Sequence, residues 1–505
     1  MDLNPSPSTF ETAYAKNQPQ VVWTTLVADL DTPVSAYLKL VGDGTHAFLM
    51  ESVEGGAQRG RYSFVGCRPD VVWRATGNAA EINRDALNDL NAFRPCPVAE
   101  KNGTLKSLRA LLAESRIDMS PDLPPMAAGL IGYMGYDTVR LSENIPETNP
   151  DVLNVPDGLF LRPTVTAIFD NAKDLMYVVT PVYPDAKVSA AQAFESAQDR
   201  LAQVVGDFAK ALPLEPTQDN VNDLGTPTSN ISKSDFFAMV ERAKQYILAG
   251  DIFQVVLSQR FKMPFTLPPF SFYRSLRRVN PSPFLFFLDF GDFQVAGSSP
   301  EILVRLRSGE VTIRPIAGTR IRGANAAEDE ALKQDLLGDP KERAEHLMLL
   351  DLGRNDIGRV AQVGSIEVTE SYKVELYSHV MHIVSNVVGK IQDGKDALDA
   401  LYAGFPAGTV SGAPKVRAME IIDELEPEKR GIYAGCIGYF GADGEMDTCI
   451  ALRTAVIKDG MLYAQAGGGI VMDSTPQGEY DESCNKAKAL IRAAEEAVRF
   501  ARHKN

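Results

Sequence analysis

The chain is poor in the residues that build covalent cross-links and soft metal centres. Its cysteines, Cys67, Cys96, Cys436, Cys449 and Cys484, are odd in number and scattered, with no CxxC pair, which excludes a disulfide framework and a thiolate zinc site. Histidine is equally scarce, at five residues, so an imidazole-rich metal centre has few ligands to draw on. No apolar run reaches the ~18 residues of a membrane span. The opening MDLNPSPSTFETAYAKNQ has neither the basic start nor the apolar core of a secretory signal, so a cytoplasmic location without membrane contact is expected. Positive charge is also in deficit. With 51 Lys and Arg against 66 Asp and Glu, the formal charge is -15, which argues against a nucleic-acid surface.

What remains is the composition of a large globular protein, 505 residues long, 45% hydrophobic and 23% charged. That length exceeds the size at which one hydrophobic core keeps growing, so more than one domain, or one elaborate two-layered unit, is expected. The stretch PLEPTQDNVNDLGTPTSNIS, residues 213–232, is rich in Pro, Asn, Asp and Thr and lacks apolar periodicity. It reads as the linker between an N-terminal domain, 1–212, and a C-terminal domain, 233–505. Before it, short β-like runs such as VVWTTLVADL, AFLMESV and DLMYVVTPVY alternate with turns. After it, SKSDFFAMVERAKQYILAGD spaces Phe236, Phe237, Val240, Ala243, Tyr246 and Ile247 for one buried helix face. IFQVVLSQRF, FQVAGSSPEILVRL, EVTIRPIAGTRI, GCIGYFG and MLYAQAGGGIV read as strands, with helices around 326–352, 394–403 and 414–423. There is no regular βαβ repeat, so the expected class is α/β in the mixed, α+β sense.

Carboxylates crowd two places. In STPQGEYDESCNKA, a helix starting near Glu479 sets Glu479, Glu482 and Lys486 at i, i+3 and i+7 on one face. A favourable first turn, with acids at the positive end of the helix dipole, explains the same spacing. In DPKERAEHLMLLDLGRND, Pro340 opens a helix, Glu342 and Glu345 stand three apart, and Glu345 leads into an apolar run. An inward carboxylate there is expensive unless it is paired or holds a cation. Two such pairs from remote helices offer the hard oxygens that Mg2+ prefers, although surface Glu-x-x-Glu pairs are common. Gly467, Gly468 and Gly469 in AGGGIV, and PAGTVSGAPK at 406–415, either present backbone N–H groups to an anion or form ordinary turns. Neither matches a nucleotide-binding motif. Cys436 in AGCIGYFG is placed like a nucleophile, but only His503 follows it, so a small buried residue is expected. In YSHVMHIVSNVVG, His379 and His382 stand three apart. His382 reads as a core imidazole, or as an acid/base group if the acids surround it.

Taken together and in this order, PIAGTR, AEHLMLLDLGRND, HVMHIVS, FPAGTVSGAPK and EYDESCNKAKAL resemble the chorismate-utilising enzymes, most specifically the anthranilate synthase large-subunit (component I) family, over residues 47–490. The resemblance implies a two-domain arrangement of large antiparallel sheets flanked by helices, with chorismate bound in the C-terminal domain. It implies Mg2+ held by Glu345 and Glu482, with Glu342 and Glu479 acting through water. Gly467, Gly468, Gly469 and Lys486 would hold the ring-carboxylate end, Tyr433 and Arg453 the enolpyruvyl carboxylate, and Gly318 and Thr319 would line the pocket. Glu301 in SSPEILV resembles the general acid that expels the C4 hydroxyl, with His382 and Thr409 assisting. The implied reaction joins ammonia to chorismate and releases pyruvate, leaving anthranilate. Ammonia would come from a separate glutamine amidotransferase subunit, in a hetero-oligomer with two copies of each chain.

Two positions separate the siblings. Water-adding relatives carry a lysine base where this chain has Gln254, and a neutral amide does not activate water. A para-aminating sibling carries lysine where Ala317 stands here. FLMESVEGG resembles the family's LLES effector motif, giving Met50, Glu51 and Ser52. NPSPFLFF resembles its NPSPYMFF, giving Pro283, Phe284 and Leu285, of which Phe284 and Leu285 depart from the usual Tyr and Met. These imply feedback inhibition by tryptophan at a site apart from chorismate. A non-catalytic carboxylate sensor on the same scaffold is the rival reading, which predicts chorismate binding without turnover.

Overall fold

A computed structural model describes residues 1–54, 58–212, 224–377 and 380–502. Strands from the whole chain join into one hydrogen-bonded network, and every pairing between described strands is antiparallel, with helices packed around it. Most of the expected linker, 213–223, lies outside the described residues. Strands from either side of it nevertheless pair directly. Ala47–Glu54 lies beside Phe284–Asp289, with Leu285 opposite Glu51 and Phe286 opposite Met50. Gly129–Met134 lies beside Cys436–Gly441, and all the residues of both strands are buried. Ion pairs cross the same divide, Arg140 to Asp423 at 2.5 Å and Arg109 to Asp396 at 2.6 Å. None of the described helices is long and apolar enough to cross a membrane.

The helix expected after the linker runs Lys233–Leu248, capped by the Ser232 side chain, and buries Phe236, Met239, Val240 and Ala243. Other expectations change at prolines. FQVAGSSPEILVRL is two strands, Phe293–Ser299 and Ile302–Arg307, because Pro300 has no N–H for the ladder. EVTIRPIAGTRI breaks likewise at Pro315 into Glu310–Ile313 and Ile316–Ile321. The helical region 326–352 is two helices, Ala326–Gly338 and Pro340–Gly358, with Asp339 between them accepting from the Lys341 N–H at 2.9 Å as the N-cap of the second. The first 210 residues also hold more helix than their alternating runs suggest. Ala190–Phe208 carries a Ser189/Gln192 capping box and buries Ala193, Phe194, Ala197, Leu201 and Val204 at helical spacing.

Candidate active site

A cavity of about 260 Å3 opens among Gln254–Pro264, Ile316–Ile321, Val380–Lys390 and Met461–Ile470, with the Pro340–Gly358 and Pro476–Arg502 helices at its side. Gln254, Glu301, Gly318, Thr319, Glu345, His382, Thr409, Tyr433, Arg453, Gly467, Gly469, Glu482 and Lys486 line it. Glu342, Gly468 and Glu479 stand outside that lining and next to it.

Glu301 sits in the break that Pro300 makes between two strands. Burial pushes its carboxyl up to about 8, against the lowering pull of the Thr409 hydroxyl, which donates to Oε1 at 3.1 Å. Such a carboxyl keeps its proton at neutral pH and is equipped to act as an acid. His382 has Nδ1 2.9 Å from the Gly318 carbonyl oxygen and 3.1 Å from Thr319 Oγ1. A carbonyl only accepts, so Nδ1 carries the proton and Nε2 keeps the lone pair. Burial lowers the His382 pKa, which favours this neutral ring.

The acids gather at the other end. Burial, then the Glu342 charge, raises the Glu345 carboxyl, and Gln254 Nε2 donates to its Oε1 at 3.4 Å. Burial and the Glu482 charge raise Glu479, whose Oε2 is buried without a hydrogen-bond partner. Lys486 Nζ lies 2.7 Å from Glu482 Oε1 and donates to the Gly467 carbonyl at 2.9 Å. Arg320 Nη1 reaches Glu342 Oε1 at 3.0 Å. The glycines make this crowding possible. A Cβ on Gly468 would meet Glu479 Oε2 at 2.5 Å, and one on Gly469 would meet Gln254 Nε2 at 2.2 Å. Gly318, at φ +69°, faces Glu342 Oε2 in the same way, 3.0 Å from where its Cβ would lie.

Among the described residues, no group of three or more His, Cys, Asp and Glu side chains is drawn tightly enough to form a closed metal cluster. The donor set still fits a hard cation. Two carboxyls, Glu345 and Glu479, raised by burial and by the charge of neighbouring acids, and a buried carboxylate oxygen with no partner are what a divalent ion relieves.

The profile of chorismate binding enzymes matches residues 48–492. The anthranilate synthase component 1 of Cereibacter sphaeroides is 58% identical over 98% of this chain and 98% of its own length. That of Pseudomonas putida is 47% identical over 92% of this chain and 93% of its own. The chain belongs to the chorismate-binding enzymes, in the anthranilate synthase component 1 family. The crystal structure of anthranilate synthase component I from Streptococcus pneumoniae agrees, with a TM-score of 0.73 at 40% identity over 85% of this chain and 92% of that one. The Escherichia coli menaquinone-specific isochorismate synthase MenF shares the fold at 19% identity, with a TM-score of 0.70 over 97% of this chain and 100% of its own.

Support behind the site was not read from the sequence. Glu426 and Arg430 form a fully buried ion pair at 2.6 Å. Arg430 donates to the Val410 and Val256 carbonyls at 2.6 and 2.7 Å and stacks against the Tyr136 ring, while Glu426 accepts from the Ser258 N–H at 2.8 Å. Val256, Val410 and Tyr433 line the cavity, so the pair braces its back wall. In sequence, an i, i+4 Glu–Arg pair looks the same on a solvated face as in a core. Cys436 is buried and its thiol is pushed up to about 12, in keeping with a structural role; His503 and His379 lie outside the described residues.

The two effector-like motifs meet. Glu51 and Leu285 are opposite each other in the strand pair, Met50 faces Phe286, and Ser52, Pro283 and Phe284 flank the same junction. The Glu51 carboxylate is held by Arg277 at 2.7 Å and by the Tyr273 hydroxyl at 2.6 Å.

Proposed function

We propose that this chain is the chorismate-aminating subunit of an anthranilate synthase, a Mg2+-dependent cytoplasmic lyase that converts chorismate and ammonia to anthranilate, pyruvate and water. The ammonia nitrogen forms a bond to ring C2 and gives up a proton, both ring double bonds shift by one position, to C1=C6 and C4=C5, and the C4–O bond breaks. The leaving oxygen takes a proton and departs as water. Loss of the C2 proton then makes the ring aromatic as the C3–O bond breaks, and the enolpyruvate fragment picks up a proton to become pyruvate.

Glu301 carries this reading, because hydroxide is a poor leaving group and a carboxyl kept protonated up to about 8 supplies the proton it needs. Thr409 fixes that carboxyl from Oε1. Gln254 has Nε2 committed to Glu345, and its buried Oε1 has no partner, which suits an acceptor for an N–H of ammonia. The neutral Nε2 of His382 suits removal of the C2 proton. Arg453 and Tyr433 grip the enolpyruvyl carboxylate, and Lys486 with the Gly467–Gly469 backbone grips the ring carboxylate. Glu345 and Glu482, with Glu342 and Glu479 through water, would hold Mg2+, which offsets the ring carboxylate's charge among the acids.

A glutamine amidotransferase subunit would supply the ammonia in a hetero-oligomer, and tryptophan would inhibit at the junction of 50–52 and 283–285. The test is to incubate the purified chain with chorismate, Mg2+ and ammonium salt and to follow anthranilate fluorescence and pyruvate. Both products are expected in equal amounts, with none when glutamine replaces ammonium. Binding of chorismate without product would favour the sensor reading.

A further inference from the structure

Arg453 is the cation of the cavity that no carboxylate balances. Among the described residues it makes no ion pair, and its side chain has one hydrogen bond, from Nη1 to Asn280 Oδ1 at 3.4 Å. Burial disfavours its charge, so the guanidinium is left for an anion that arrives with the substrate. Its backbone lies in the left-handed region at φ +48°, uncommon for a residue with a side chain. That conformation is held by the Ser298 N–H, which donates to the Arg453 carbonyl at 3.1 Å. The Ser298 hydroxyl donates in turn to the Asn280 carbonyl, so both residues hang from one residue at the end of Phe293–Ser299.

Asn280 is itself firmly placed. It caps the C-terminus of the Pro269–Val279 helix, with its N–H on the Leu276 carbonyl. Tyr273, Arg277 and Asn280 follow one another at i, i+4 and i+7, on one face. The first two grasp Glu51 and the third reaches Arg453. A guanidinium only donates, so the amide must show it the oxygen, and Nδ2 then faces away, buried and without a partner. The amide is therefore held in one orientation by Arg453 and holds Arg453 in return.

We propose that Asn280, outside the cavity lining, is a positioning residue that aims the Arg453 guanidinium at the substrate's side-chain carboxylate, anchored through the Pro269–Val279 helix. This rests on the chorismate-aminating reading. Loss of the aim leaves the chemical groups in place and weakens the grip, so the effect belongs in KM.

The experiment is steady-state kinetics of ammonia-dependent anthranilate formation. Asn280→Ala should raise KM for chorismate roughly tenfold, the size of one hydrogen bond to a charged group, with kcat within about twofold. The isosteric Asn280→Asp keeps the shape and sets a carboxylate on Arg453, so its KM should rise further than that of Asn280→Ala. In an Arg453→Ala background the Asp change should move KM by less than about twofold. A merely structural residue would lower activity equally in both backgrounds. If Asn280→Asp keeps the wild-type KM, or acts equally with and without Arg453, the positioning role is wrong. If Asn280→Ala fails to fold, the Asp pair of measurements decides alone. A wild type that makes no anthranilate overturns the aminating reading as well, whereas an active wild type with an unmoved Asp variant overturns this role only.

Discussion

At the scale of single residues, the informative one is Glu301, because its environment fixes its protonation state. In the proposed reaction the acid form is the working form, so with free ammonia held constant, turnover should fall as pH rises through about 8. The sign follows from the raised pKa: below it the carboxyl holds the proton it must donate, and above it the proton is gone. Thr409 donates to that carboxyl and so favours the ionised form. Thr409→Val should therefore move the alkaline limb of the pH profile upward, while Glu301→Gln should cut kcat by about 10²–10⁴. A limb that stays in place in Thr409→Val, or one that persists in Glu301→Gln, would assign it to another group. The sequence named Glu301 only through its motif: Pro300 in SSPEILV signals a break in the strand, but nothing there says that the break leaves the next carboxyl buried. Arg453 was legible in the same limited way, and its partner Asn280 was not, because the two are 173 positions apart and meet only once the sheet is assembled.

At the scale of elements, the acid pairs were the most legible part of the site. Their i, i+3 spacing survives in the helices Pro340–Gly358 and Pro476–Arg502, whose starts are marked by prolines. What spacing did not reveal is the strand between them. Gly468 on Met461–Ile470 leaves room for Glu479 Oε2, which would lie 2.5 Å from any Cβ placed there. Gly468→Ala should displace that carboxylate and raise the Mg2+ needed for half-maximal turnover by about 10–100-fold, as for other residues that support a metal's ligands. Glu345→Gln and Glu482→Gln should do more, because in the proposed site each would remove a charged oxygen from the ion itself, and excess Mg2+ should not restore them. Glu342→Gln and Glu479→Gln should fall between wild type and these. A Mg2+ titration of the five variants gives the order, and an unshifted Gly468→Ala would detach the strand from the metal site. The Glu426–Arg430 pair shows why the rest was hidden: one spacing serves a surface helix and a buried brace, and only packing separates them.

At the scale of the whole molecule, the sheet matters because it passes under the division that composition suggests. Ala47–Glu54 hydrogen-bonds to Phe284–Asp289, so motifs more than two hundred residues apart share one ladder. A ligand seated at that junction touches residues from both sides of the 213–232 stretch at once, which is what biasing their relative placement requires. Ser52 lies against Gly60, where a Cβ would come within 2.5 Å of its Cβ and Oγ, so the space beside it is closely limited. On the proposed effector site, a phenyl ring at position 52 would occupy the room that a bound tryptophan side chain would use. The cavity is lined by none of Met50, Glu51, Ser52, Pro283, Phe284 and Leu285, so the chemistry should survive the change. Wild type is thus expected to lose ammonia-dependent activity as tryptophan is added, and Ser52→Phe to keep it at the same tryptophan concentrations with kcat and KM for chorismate within about twofold of wild type. Measuring both proteins across tryptophan concentrations checks this. An insensitive wild type would remove the regulatory reading, and a Ser52→Phe variant as sensitive as wild type would place the effector elsewhere.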